Sequence, residues 1–259
     1  FQADYQPNCL LNYRMKNRKA GDSRYGTVTT NLMTNLGYHF YDLVNGGWYI
    51  HNFNAKDYPV MYCVNGKRDD VMGWTEKPAY YDSVNANHMG GFYFWDNRDH
   101  GGIGRTWDAD NFNLYRYRRN LSYPAFANCS LNENYGTGNG AVGLEYGSIN
   151  GSLDWKNEVS EDPQNWTAKI FIHNLTKFDG SPVVYPDSCT VDVTPRRLQQ
   201  CHFPVGCFIT WTVTHNNKII QSDWQPYNGG TIIIPKVKVF KDTSIVHLTY
   251  TMSLNTFYQ

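Results

Sequence analysis

Two aspartates and one histidine stand where a hydrolytic base could be assembled. Asp69 and Asp70 follow the apolar run PVMYCV (59–64), and His100 follows the aromatic run FYFWD (92–96), with Gly101 and Gly102 directly behind it. An imidazole titrates near neutral pH, and a carboxylate bonded to one ring nitrogen fixes its tautomer and stabilises the imidazolium formed in turnover. Either Asp69 or its rival Asp70 could be the acid partner of His100, and Asp99, beside His100, would have to point elsewhere. Singly, each residue has an ordinary use, since loop aspartates commonly solvate turns or cap helices. Together, an acid and a histidine separated by about thirty residues, one helix and one strand fit a shared site.

The elements between them have a recognisable order. PVMYCV is short and continuously apolar, as a strand buried on both faces is. Thr75 can cap a helix running through TEKPAYYDSVNANHM, where Pro78 falls in the tolerated first turn and Tyr80, Val84 and His88 recur at helical spacing. Gly90 and Gly91 supply the stop, and FYFWD reads as the next strand. Residues 59–96 thus read as one βαβ unit, whose functional side chains belong beyond the carboxyl ends of its strands. Upstream, 26–45 does not resolve between helix and irregular structure, and Asn45-Gly46-Gly47 marks a turn before WYIHNF.

The G-x-x-D of Gly66 to Asp69, the Gly73-Trp74 pair leading into a helix, and the Y-F-W-D-x-R-x-H-G-G of Tyr93 to Gly102 resemble the end of an α/β-hydrolase catalytic domain, of the secreted esterase and depolymerase-like kind. The likeness is good over 45–107 and loose elsewhere. TVDVTPRRLQ (190–199) is similar to the β-domain appended to such enzymes. The resemblance implies an α/β fold class: the C-terminal part of an α/β-hydrolase sheet in residues 1–131, followed by an all-β, immunoglobulin-like sandwich in 132–259. It makes Asp69 the triad acid, His100 the general base and Trp74 a substrate-binding aromatic, in an ester hydrolase that works by acyl transfer without a cofactor. The nucleophile is missing, because no serine has glycine at both elbow positions, and Ser23 in GDSRY follows the polar stretch RMKNRKA rather than an apolar strand. The serine and oxyanion hole are thus expected on a companion polypeptide carrying the N-terminal half of the fold, from a precursor cut before Phe1. The rival reading is a noncatalytic extracellular binding or structural glycoprotein.

The second half has a β rhythm. AKIFIHN, CTVDV, CFITWTVTH, KIIQSDW, TIIIP, KVKVF and IVHLTYT are separated by turn residues, and NENYGTGNGAVG (132–143) reads as a linker or long loop before them. A net charge of zero with 18% charged residues offers nothing to attract nucleic acid or anionic membrane, and no apolar run is long enough to span a bilayer. The histidines and six cysteines lack metal-ligand spacing, so no metal is expected; disulfides are, with Cys189, Cys201 and Cys207 close enough for a local bridge. Sequons at Asn120, Asn128, Asn150, Asn165 and Asn174, with the cysteines, suggest a secreted glycoprotein.

Overall fold

The computed structural model describes residues 26, 30, 32–44, 46–53, 60–70, 73–74, 77–108, 111, 118, 120–156 and 159–252. Among the described residues two short helices come first, α1 (Phe40–Val44) and α2 (Gly46–Asn52), so WYIHNF, expected after a turn, lies largely in a helix. Strand β1 (Tyr62–Gly66), helix α3 (Lys77–Ala86) and strand β2 (Phe92–Asp96) follow. β1 and β2 pair in parallel, with Tyr62 opposite Phe92 and Gly66 opposite Asp96. Pro59 and Thr75, given roles at the start of the first strand and of the helix, lie outside the described residues.

Among the described residues the remaining elements are strands: β3 (Tyr123–Ala127), β4 (Gly147–Ile149), β5 (Leu153–Trp155), β6 (Ser160–Glu161), β7 (Asn165–Ile172), β8 (Leu175–Thr176), β9 (Pro182–Val183), β10 (Ser188–Arg196), β11 (Cys207–His215), β12 (Lys218–Pro226), β13 (Ile234–Phe240) and β14 (Ser244–Met252). The segments TIIIP and KVKVF, read as two strands, merge into β13. One antiparallel sheet runs β12-β11-β14-β7-β5, with β6 also on β7; another runs β13-β10-β3. Alternating side chains from both, such as Trp166, Ile170 and Leu248 from the first and Val191, Val237 and Val239 from the second, share one buried core.

This arrangement corrects the expected fold class. Among the described residues strands account for 41% and helices for 11%, in several small sheets, so the described part is β-rich and does not form an α/β-hydrolase sheet followed by an immunoglobulin-like sandwich. The physical reason is visible on β2. A hydrolase sheet extends by parallel strands with helices on both faces, but β2 is bordered by parallel β1 on one side and antiparallel β4 on the other. Tyr93 and Trp95 pack under α3, whereas Phe92 and Phe94 point the other way into the core of the large sheets. The 131/132 boundary is crossed in both directions: β3 pairs with β10, and β4 pairs with β2.

A polar node ties these layers together. Asp192 sits at a bulge in β10; its Oδ2 receives His88 Nε2 at 3.0 Å and Asn128 Nδ2 at 2.8 Å, and its Oδ1 accepts the Lys236 N–H at 2.9 Å. Asn128 and Asn85 hydrogen-bond reciprocally at 2.6 and 2.7 Å, which pins the α3 side to the end of β3. His88 is thus held just beyond the C-terminal end of α3.

Candidate active site

Two loops leave the carboxyl ends of β1 and β2 side by side because the strands are parallel and in register at Gly66 and Asp96. The first turns at once: the Asp69 N–H donates to Gly66 O at 3.3 Å, and the Gly73 N–H returns to Asp69 O at 3.0 Å. Gly66 admits no side chain, since a Cβ there would stand 2.2 Å from Arg98 O on the neighbouring loop. That close approach lets the two loops share one cleft.

The second loop is organised by Asp96. Its carboxylate is fully buried and accepts Arg98 Nε and Nη2, both at 2.7 Å, together with the Thr106 N–H at 2.7 Å and the Trp107 N–H at 3.2 Å. Burial works against its charge, but the bonds from Arg98, Thr106 and Trp107 outweigh that and hold its carboxyl below the usual range. At the loop tip Asp99 braces its own turn: its Oδ1 accepts the Ile103 N–H at 2.9 Å, and its backbone N–H donates to Ile103 O at 2.9 Å. Asp99 does point away from the imidazole beside it. Asp96 and Arg98 stand in the D-x-R of the Tyr93–Gly102 motif without a role assigned from the sequence, although an Asp-x-Arg at a strand end is a signal for such a brace.

His100 rides on that tip and faces Asp69. Its Nδ1 lies 3.2 Å from both Oδ1 and Oδ2 of Asp69, and among the described residues its Nε2 makes no hydrogen bond. The Asp69 side chain is 15% exposed and that of His100 55%, so the carboxylate is sheltered while the ring is open to an incoming group. Asp70, the rival acid, is exposed and is not His100's partner. Both catalytic candidates border a cleft of about 430 Å³, shared with Lys77, Arg98, Gly101 and Gly102. No Ser, Thr or Cys lines it among the described residues. Lys77 is 3% exposed, and burial pushes its ammonium down to about 8. An imidazole fixed through Nδ1 can act as a base through Nε2, so the cleft can take a proton from a hydroxyl brought to it.

Trp74 lies elsewhere. It is 4% exposed in the aromatic core with Tyr81 and Trp95, does not line the cleft, and donates its indole N–H to Thr137 O at 2.8 Å. That bond belongs to the stretch 132–143, a long loop rather than a linker, which forms a folded wall beside the site. Lys67 Nζ donates to Val142 O at 2.7 Å and Leu144 O at 2.9 Å, and Trp95 Nε1 donates to Leu144 O at 3.1 Å. Where this loop closes on itself, Gly136 and Gly143 both have positive φ, and a Cβ on Gly136 would meet Val142 O at 2.1 Å.

No family model, curated protein or solved structure matches this chain. The chemistry of the cleft is read from its own atoms. Among the described residues, no group of three or more His, Cys, Asp or Glu side chains could hold a metal ion, and no helix is long and apolar enough to cross a membrane.

The sequons differ in setting. Asn120 and Asn174 are exposed. Asn128 is exposed but its amide nitrogen serves Asp192, and Asn165 donates to both Asp162 oxygens at 3.0 and 2.9 Å. Asn150 is 3% exposed, and its Nδ2 donates to Gly91 O and Phe126 O, both at 2.9 Å, so this fold leaves no room for a glycan there.

Proposed function

We propose that Asp69 and His100 form the base half of an ester-hydrolysing site whose serine and oxyanion donors are brought to the cleft by a companion polypeptide. The observation that carries this reading is the Nδ1 contact to both Asp69 oxygens at 3.2 Å, with Nε2 unbonded among the described residues. In the first half-reaction the serine Oγ–H gives its proton to Nε2 while Oγ bonds to the acyl carbon. The C–O bond to the alcohol then breaks, and the alcohol leaves with that proton. Water repeats the sequence in the second half, releasing the acid and restoring the serine. Asp69 keeps the proton on Nδ1 and steadies the imidazolium in both halves. The same reading places the protein outside the cell, with Asn120 and Asn174 as the open glycan acceptors.

The test is a fluorophosphonate probe applied to the protein in its native assembly. A labelled serine outside this chain, with labelling lost on His100→Ala, supports the proposal. Labelling that His100→Ala leaves untouched, or an assembly with ester turnover and no reactive serine, overturns it.

A further inference from the structure

Cys129 and Cys189 lie on neighbouring segments at one end of a sheet. Cys129 comes just after β3, and Cys189 is near the start of β10, which pairs with β3 from Asp192↔Ala127 to Arg196↔Tyr123. Beyond the ladder the two segments stay together: the Ser130 N–H donates to Thr190 O at 2.8 Å, and the Thr190 N–H to Ser130 Oγ at 3.0 Å. Cys129 and Cys189 belong to one buried cluster and are 5% and 6% exposed. A disulfide needs Cα atoms within about 7 Å and converging Cβ vectors, and the hydrogen bonds between Ser130 and Thr190, each the next residue after one of the cysteines, bring the two segments to that approach.

We propose that Cys129 and Cys189 are a disulfide-forming pair, oxidised by thiol–disulfide exchange with a glutathione-class disulfide. The Cys129 thiolate attacks one sulfur of the donor; a mixed disulfide forms and one donor thiolate leaves. The Cys189 thiol then loses its proton, and its sulfur displaces the second donor thiolate from Cys129. Two protein thiols are oxidised and one donor disulfide is reduced, so the electrons balance. The hydrogen bond from Cys189 lowers the Cys129 thiol below its usual pKa, which fits Cys129 as the attacking sulfur. Cys129 also borders a cleft of about 580 Å³ beside Asn85 and Asn128, an approach route for the donor. The bond closes the segment 130–188, which contains β4 and hence the strand beside β2 in the sheet that carries the site.

The experiment is peptide mapping of the full polypeptide, folded in a glutathione and glutathione disulfide buffer and digested without reduction. A linked pair of peptides carrying residues 129 and 189, two hydrogens lighter than their sum, is expected, and it persists in a Cys201→Ser, Cys207→Ser variant. Cys189 linked instead to Cys201 or Cys207, or both Cys129 and Cys189 recovered as alkylated thiols, overturns the proposal. Reduction lowers the melting temperature of the Cys201→Ser, Cys207→Ser variant, which retains this pair; an unchanged melting temperature also counts against the bond.

Discussion

The His100 imidazole and the Asp69 carboxylate meet across the carboxyl ends of β1 and β2, with Nδ1 3.2 Å from both oxygens. The carboxylate is the sheltered partner and the ring the open one, 15% against 55% exposed. This asymmetry is what a base requires: one nitrogen held, the other available. It also separates function from folding, because an exposed ring contributes little to the core.

Removing either member of the pair should therefore cost activity, and removing the exposed ring should spare stability. In the native assembly His100→Ala is expected to lower kcat for ester hydrolysis by on the order of 10⁴-fold or more, and Asp69→Asn by about 10⁴-fold, as in carboxylate-histidine hydrolases generally. Urea unfolding of His100→Ala should shift by no more than about 0.5 kcal/mol. Steady-state kinetics and equilibrium unfolding check the two halves separately.

Asp96 should behave in the opposite way. It is buried, and its carboxylate holds Arg98 and two backbone N–H groups that close the loop beneath His100. Asp96→Asn removes the charge and leaves the guanidinium unpaired at a partly buried site, which costs about 3 kcal/mol. Thermal or urea unfolding measures this, and ester turnover falls with it because the His100 tip loses its support.

The contrast between these two aspartates shows what the sequence made legible. FYFWD is read to the residue, and the meeting of Asp69 with His100 follows from their placement after two adjacent parallel strands. The expected hydrolase sheet failed because an apolar strand buried on both faces looks the same whether helices or other sheets cover it. Phe92 and Phe94 meet the β core rather than a second helix layer, and no pattern within FYFWD reports that. The Gly/Asn-rich stretch 132–143 reads as a linker or long loop by composition; it is a loop, and composition does not report that its carbonyls are held by Lys67 and Trp74 from far along the chain. Such long-range partners leave no local trace.

Lys77 predicts a pH dependence. Burial lowers its folded pKa to about 8 from the usual 10.5, so the unfolded chain binds the extra proton between those values. Stability should then rise with pH across that interval, by about 3 kcal/mol at most, and be flat on either side as far as this group is concerned. Lys77→Met should remove that rise and be the more stable protein at pH 7. Urea titrations of both proteins at pH 7, 9 and 10.5 give the comparison; parallel curves would rule the assignment out.

Asn150 predicts a stability cost without a change in the site. Its amide nitrogen bridges Gly91 O and Phe126 O, joining the start of β2 to β3. Asn150→Ala leaves two buried carbonyls without that donor, at about 2 kcal/mol. Unfolding experiments read the loss, and glycopeptide mapping should find residue 150 unmodified.

The most direct measurement is the proton position on the His100 ring, read from two-bond ¹H–¹⁵N correlations of the imidazole above its titration. The account predicts Nδ1–H with a bare, accepting Nε2 in the native protein, and a shift toward Nε2–H in Asp69→Ala. A proton on Nε2 in the native protein, or the same tautomer mixture in both proteins, would contradict it.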